Sequence, residues 1–240
     1  MELELNKIYN IDCQKGLEGI CKQSFADKII FVSDPPFNIN YKYKSYKDNK
    51  NEDEYYEWLQ KIFSPFPCVI IHYPEALYKF SFKIGKFPER VISWVYNSNT
   101  KRQHRDIGFF GVAPNFDQIK QPYKNQADKR ILERMENGEG GASLYDWWEI
   151  NQVKNISQEK CEHPCQMPLE VMRNIIGILP YNALIIDPFA GTGTTCLAVS
   201  IMNKVQTAKR NYIGFELDTD YYNLAVERLE AEKAQMTFFD

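Results

Sequence analysis

The sequence predicts an α/β fold, a mostly parallel sheet with helices on both faces. Three observations predict it. Short apolar runs of strand length alternate with longer stretches of helical period at both ends of the chain. One such run, Ala183 to Asp187, leads through a glycine-containing turn directly into a helical segment. Another, Lys28 to Val32, halts at Asp34-Pro-Pro, which places an acidic loop at the carboxyl edge of the sheet, where open α/β sheets bind ligands.

The 240 residues suit one α/β domain, and residues 1–240 are read as a single unit. Charged residues are 25% and hydrophobic residues 44%, the balance of an ordinary globular protein. Net charge is −3, so bulk charge announces no polyanionic partner. Local charge is more suggestive: Lys42, Lys44, Lys47 and Lys50 lie among Tyr41, Tyr43 and Tyr46, and Lys101, Arg102, His104 and Arg105 form a second cluster. A third is Lys120, Lys124, Lys129, Arg130 and Arg134. Each is either a solvated face or a phosphate-binding face, and phosphate contacts need only a local one. The six cysteines follow no disulfide framework, and the acidic N-terminus has no apolar leader. A cytoplasmic protein with reduced thiols and no membrane association is expected. Cys161, His163 and Cys165 lack a second ligand pair at zinc-site spacing, so no metal is expected.

Along the chain, Ile8 to Ile11 is a short apolar stretch ending at Asp12, and Lys28 to Val32 is a β-rich run. Glu52 to Phe63 reads as a helix with Tyr55, Leu59 and Ile62 in its apolar stripe. Cys68 to Tyr73 reads as a buried strand, Glu75 to Phe82 as a helix, and Arg90 to Tyr96 as a strand. From 97 to 160 the sequence turns polar, with scattered Gly and Asn and the aromatic patch Tyr145, Trp147 and Trp148. This segment reads as an irregular or inserted lobe, with a helix near 126–136, and long irregular segments are often functional. Regularity returns with a helix over 169–179, a strand over 183–187, a helix over 194–202, a strand from Asn211 to Glu216 and a final helix from Tyr221.

The segment Asp187-Pro-Phe-Ala-Gly-Thr-Gly-Thr-Thr195 follows a strand and opens a helix. Gly191 and Gly193 let backbone approach a ligand, and the helix start offers free N–H donors. Glu216 ends the next strand, where a carboxylate can accept hydrogen bonds from a ribose diol. A phosphate loop is excluded because no Gly-Lys-Ser/Thr follows. A nicotinamide site would want a third glycine, and Cys196 stands in its place. S-adenosyl-L-methionine (AdoMet) carries a ribose but no pyrophosphate, and suits the array.

Asp34-Pro-Pro-Phe37 in the first half and Asp187-Pro-Phe-Ala-Gly-Thr-Gly-Thr-Thr195 in the second together resemble the amino-group DNA methyltransferases. Their order, catalytic motif first and glycine motif last, resembles the permuted β group of that family. Ile8-Tyr-Asn-Ile-Asp12 looks like its N-terminal segment, and His163-Pro-Cys-Gln-Met-Pro168 like its His-Pro-x-Gln-x-Pro segment. Asn211 to Glu216, with Tyr221 and Arg228, resembles the strand and helix after the glycine loop. The likeness covers roughly residues 8–96 and 160–232. It implies a Rossmann-like AdoMet-dependent methyltransferase fold with circularly permuted motif order. The family more often has Tyr at position 37 and Lys at position 167, where this chain has Phe37 and Met167.

The resemblance also implies roles. Asp34, Pro35, Pro36 and Phe37 form the catalytic loop, with the Asp34 carboxylate and Pro35 carbonyl accepting N–H bonds from the target amino group. Phe37 offers a face to an extruded base. Ile11, Asp12, Asp34, His163, Asp187, Phe189, Gly191, Thr192, Gly193, Thr194 and Glu216 are the expected AdoMet-binding residues. His163 is equally readable as a helix-entry packing residue. Segment 97–160 occupies the slot of the target-recognition region, with Lys42, Lys44, Lys47, Arg102, Arg105, Trp147 and Trp148 as candidates for DNA contact. Residues 41–50 read either as a flap over DNA or cofactor or as a surface loop. The expected activity is methylation of adenine N6 in double-stranded DNA. N4-cytosine methylation is the alternative, since it more often goes with Ser before Pro-Pro. A nicotinamide-dependent oxidoreductase and a catalytically silent DNA-binding protein are the readings from other classes. A companion restriction enzyme and a monomer or homodimer are compatible with the resemblance.

Overall fold

A computed structural model of the chain describes residues 2–25, 27–153, 166–207 and 209–234. Its elements are, in chain order, β1 (Lys7–Asn10), α1 (Cys13–Lys22), β2 (Lys28–Ser33), α2 (Glu52–Phe63), β3 (Cys68–His72), α3 (Pro74–Ile84), β4 (Arg90–Val95) and β5 (His104–Phe110). Then follow β6 (Lys120–Gln121), α4 (Lys129–Glu136), β7 (Ala142–Ser143), β8 (Trp147–Glu149), α5 (Leu169–Ile178), β9 (Ala183–Asp187), α6 (Thr194–Val205), β10 (Asn211–Glu216) and α7 (Thr219–Ala234). Eight strands form one sheet in the order β1-β10-β9-β2-β3-β5-β4-β8, and β6 and β7 make a separate two-stranded ribbon.

The sheet is parallel from β1 through β3, turns antiparallel on both sides of β5, and is parallel again where β8 joins β4. Alternation along β2 shows how both faces are covered. Ile30 and Val32 point into a core built with α5, α6 and α7, through Val171, Met172, Ala198 and Ala225. Phe31 points into the opposite core, with Ile20 of α1, Leu59 and Ile62 of α2 and Phe80 of α3. The expected α/β architecture is the one observed.

β9 and β2 lie side by side at the centre, and they lead in opposite directions across the sheet: β9 toward β10, β2 toward β3. Such a switch point opens a crevice at the strands' carboxyl ends. The ends in question are Asp187 and Ser33-Asp34, so the two sequence motifs meet there although they are far apart in the chain.

Several elements depart from the sequence reading. Segment 97–160 is not a wholly irregular lobe: His104–Phe110 is a buried central strand and Trp147–Glu149 an edge strand of the main sheet. The polar start His104-Arg-Asp disguises β5, whose Ile107 and Phe109 carry the inward alternation. The expected helix near 126–136 forms as α4 over Lys129–Glu136, capped by Asp128 and with no buried residue. Helix α1 was not read from the sequence, because Gly16 and Gly19 weaken its propensity. Tertiary packing requires them: a Cβ at Gly16 would meet the Phe215 ring at 2.6 Å. Among the described residues no helix is long and apolar enough to cross a membrane.

Candidate active site

The glycine loop is organised from below by Asp187. Its carboxylate accepts hydrogen bonds from Ser33 Oγ at 2.7 Å, the Phe189 N–H at 3.0 Å and Thr195 Oγ1 at 2.5 Å. One buried side chain thereby joins the end of β2, the loop and the start of α6. Burial pushes its pKa up while these donors oppose the rise. From α7, Arg228 Nη1 donates to the Thr192 carbonyl at 2.5 Å and to Thr194 Oγ1 at 3.1 Å, clamping the loop's far side.

A cavity of about 450 Å³ opens above this loop. Of the residues singled out in the sequence, Asp12, Asp34, Pro35, Pro36, Phe37, Lys44, Arg105, Asp187, Phe189, Gly191, Thr192, Thr194 and Glu216 line it. Gly193 and Ile11 do not. Gly193, at φ 73°, serves packing instead, since a Cβ there would meet Ala225 Cβ at 2.9 Å and Ile8 Cδ1 at 3.1 Å. Ile11 packs against the apolar cluster beneath α1 and α2. Asp12 caps α1, accepting from the Gln14 N–H at 2.8 Å. His163 lies outside the described residues, as do Cys161 and Cys165.

Glu216 stands at the tip of β10. Its Oε2 accepts from the Gly191 N–H at 2.7 Å and its Oε1 from the Asp218 N–H at 2.8 Å. Each oxygen keeps a second acceptor position, so a carboxylate of fixed orientation faces the cavity. Burial raises its pKa, and the two backbone donors oppose the rise. Residues 38–50 form an ordered strap. Asp48 accepts from the N–H groups of Asn38, Ile39 and Tyr41 at 2.7, 3.0 and 3.0 Å. Ser45 Oγ donates to Asp218 and Lys44 Nζ to Asp220, both at 2.6 Å, which ties the strap to the start of α7. Lys42 and Lys47 pair across the strap and do not line the cavity.

At the other end of the cavity stands Asp34. Its side chain is 16% exposed and its Oδ2 lies 3.5 Å from Arg105 Nη1. Its Oδ1 is buried without a hydrogen-bond partner. Burial pushes the Asp34 carboxyl up to about 6, against the pull of Arg105 and with a smaller push from Asp187.

The rest of the loop is held by two residues the sequence reading missed. Tyr55 Oη donates to the Pro36 carbonyl at 2.7 Å and lies 2.8 Å from His72 Nε2. His72 Nδ1 accepts from the Tyr73 N–H at 2.8 Å. Burial, together with Arg105 and Arg102, pushes His72 down to about 3, so its ring is neutral. With Nδ1 accepting, the proton sits on Nε2 and donates to Tyr55, which donates to Pro36. The chain fixes the second proline and leaves the Pro35 carbonyl out of the relay. The same imidazole stacks on Phe37, centroid to centroid 4.2 Å at 19°. The signal for Tyr55 was present: a tyrosine in a buried stripe needs a partner for its hydroxyl.

Arg102 is exposed, pairs with Glu75 at 3.0 Å and lies 4.2 Å from the Tyr73 ring centroid. Trp148 is buried and donates to the Tyr145 carbonyl at 2.8 Å, which makes it a packing residue. Trp147 is 46% exposed on the edge strand, with Lys124 Nζ 5.1 Å from its ring.

A buried free acceptor at one end of a cavity and an oriented carboxylate at the other suit a ligand with a diol and a second substrate carrying N–H groups. Comparison with known proteins agrees. A DNA methylase family model matches residues 69–227. The type II methyltransferase M.ScaI of Streptomyces caespitosus is 30% identical over 268 residues, covering 96% of this chain and 83% of that protein. Among solved structures, the M1.HpyAVI–SAM complex superposes with a TM-score of 0.59 at 18% identity, over 93% of this chain and 98% of that one. The cytosine-N4-specific PvuII DNA methyltransferase superposes with a TM-score of 0.62 at 16% identity, over 95% of this chain and 87% of that one. These two likenesses show a shared fold, the Rossmann-like methyltransferase fold. On the family match and the alignment with M.ScaI, this chain belongs to the DNA methylase family and is an AdoMet-dependent DNA methyltransferase.

Proposed function

We propose that the chain methylates the N6 amino group of an adenine in double-stranded DNA, by direct transfer to a base turned out of the duplex. The observation that carries this reading is Asp34, which lines the same cavity as Glu216 and whose buried Oδ1 has no partner. Asp rather than Ser before Pro35-Pro36 supports adenine over cytosine.

The residues present fit AdoMet. Glu216 offers acceptors to a ribose diol, and the Phe189 ring, backed by Trp58 at 5.1 Å, offers an apolar face to an adenine ring. Tyr46, whose hydroxyl is buried without a partner, lines the same space. When bound, the cofactor supplies an electrophilic sulfonium methyl group. The protein's part is positioning. Asp34 Oδ1 and the Pro35 carbonyl accept the two N–H bonds of the target amino group and turn its lone pair toward the methyl donor. Asp34 accepts its N–H best as a carboxylate, because protonation turns one oxygen into a donor and weakens the other as an acceptor. The amino group of a paired base is buried in the stack, so the base must leave it. Phe37, braced by His72 and Tyr73, then supplies a stacking surface. The exposed helix α4 and the Trp147–Lys124 edge, both within 111–149, are proposed to face the target sequence.

Two expected outcomes follow from this chemistry. Since Asp34 is held near 6, it is ionised above that pH and protonated below it. The kcat/KM for DNA should therefore fall as pH drops through about 6, and a profile flat down to pH ~5 would contradict the carboxylate's role. Phe37→Ala should lower kcat/KM for DNA by about 5- to 150-fold, the equivalent of ~1–3 kcal/mol of stacking, with AdoMet affinity kept. Phe37→Tyr should be tolerated. Unchanged kinetics in Phe37→Ala would remove the stacking role.

The function itself is tested by sequencing DNA from cells that express the chain, with a method that reads modified bases. A methylated adenine at every modified site supports the proposal. A methylated cytosine there would replace adenine with the N4-cytosine alternative.

A further inference from the structure

Arg102 and Arg105 belong to one basic cluster in the sequence, yet the sheet sends them to different places. Arg102 lies outside, paired with Glu75. Arg105, near the start of β5, is 14% exposed and enters the cavity. Its guanidinium carbon lies 4.7 Å from the Phe37 ring centroid, 5.3 Å from that of Trp94 and 6.0 Å from that of Tyr96. Nη1 reaches Asp34 Oδ2 at 3.5 Å and Met167 Sδ at 3.7 Å.

We propose that Arg105 is a positioning residue for the catalytic carboxylate. It holds Asp34 by Oδ2 and keeps it ionised, so that Oδ1 remains in the cavity as the acceptor for the target amino group. The assignment rests on the amino-group methylation argued above and concerns a residue read from sequence as a DNA-contact candidate.

The wall of aromatic rings explains why the pair forms. A guanidinium among rings of Trp94, Tyr96 and Phe37 is attracted to their faces but needs an anion to offset its burial. Asp34 is the anion within reach. Seen from Asp34, the neighbouring groups are few. Asp187 at the end of β9 is a second carboxylate and pushes the Asp34 pKa up. Tyr55 from α2 and Tyr96 after β4 are neutral phenols, and His72 from β3 is neutral. Lys44 lines the same cavity but is engaged by Asp220. Among the described residues Arg105 is thus the cation that opposes burial at Asp34. It brings the carboxyl only to about 6, already close to the working range. Without it Asp34 is expected to hold its proton at neutral pH, and a protonated carboxyl turns a donor toward the amino group.

The test compares wild type with Arg105→Gln, Arg105→Met and Arg105→Lys. Two readouts are used: the pH profile of kcat/KM for DNA, and direct titration of Asp34 by carboxyl ¹³C NMR, assigned with Asp34→Asn. In the Gln and Met variants the acid limb and the NMR midpoint should both rise by about one pH unit or more. Activity near pH 7 should fall about twofold for a rise of one unit and about tenfold for a rise of two, and recover by pH ~9. Arg105→Lys should stay close to wild type, and AdoMet affinity should be unchanged in any variant that folds. If one neutral variant does not fold, the other carries the comparison. Loss of activity by the same factor at every pH, with the Asp34 midpoint unmoved, overturns the proposal. A raised KM for DNA with a weaker salt dependence and an unmoved limb also overturns it, and would make Arg105 a phosphate contact. The NMR titration needs no turnover, so failure of the adenine reading leaves this result interpretable.

Discussion

Asp34→Ala should lower methyl transfer to DNA by about 10²- to 10³-fold or more, while AdoMet still binds. The size follows from where the lost oxygen sits. Oδ1 is buried and has no partner in the protein, and Asp34 lines the cavity. An acceptor kept free there interacts with charge that develops on the amino group as its nitrogen attacks, so its loss falls on the transition state rather than on cofactor binding. Alanine also leaves Arg105 buried without its anion, which costs stability of its own. Asp34→Asn leaves Arg105 without its anion as well, but it keeps the side-chain volume and one acceptor oxygen, so it should disturb the packing less than alanine and still lose most of the rate. Single-turnover transfer rates, paired with AdoMet titration, measure both. A full single-turnover rate in Asp34→Asn would remove the residue from the catalytic step.

The second large effect is on the other end of the cavity. Glu216→Ala should weaken AdoMet binding by roughly 10- to 150-fold, the range for losing a hydrogen bond to a charged group, ~1.5–3 kcal/mol. Two backbone donors, the N–H groups of Gly191 and Asp218, lose their acceptor as well. The glycine loop therefore loosens at the same time as the proposed ribose contact disappears. Calorimetric titration of the variant with AdoMet measures the loss, and kcat at saturating AdoMet should stay within a few-fold of wild type, because Glu216 stands away from the reacting amino group. Glu216→Gln, which keeps one acceptor oxygen, should fall between. Unchanged AdoMet affinity in Glu216→Ala would make the carboxylate a purely structural tie.

The parts of the molecule legible in the sequence are those where local pattern and tertiary role coincide. The run 183–187, the glycine turn and the helix after it occupy contiguous positions and carry their own signals: apolar strand, φ > 0 residues, helix start. Asp34-Pro-Pro-Phe37 is likewise compact. The switch point that brings Asp34 beside Asp187 follows from the parallel alternation of the two halves. What was not legible depends on long-range packing. β5 hides behind three polar residues and is recognisable only by its neighbours β3 and β4. Arg105 reads as one of several surface cations until that strand turns it inward. Gly193 reads as a ligand-facing glycine, whereas the space it leaves is filled by Ala225 and Ile8 from opposite ends of the chain. The Tyr55–His72–Pro36 relay joins three separate elements, none of which signals the others.

The relay and the ion pair describe one design from two sides. His72 and Tyr55 hold the proline backbone, and Arg105 holds the Asp34 side chain; the Phe37 ring touches both His72 and Arg105. The catalytic loop has a rigid floor on β3 and β5, consistent with a reaction that depends on aim more than on acid–base strength.

The most direct test is transfer of labelled methyl from AdoMet to mixed genomic DNA by the purified chain, followed by digestion and nucleoside analysis. Label in N6-methyladenosine of the DNA digest is the expected result. Label confined to N4-methylcytosine would contradict the assignment of adenine, and no label in DNA despite bound AdoMet would contradict the catalytic role given to Asp34 and its loop.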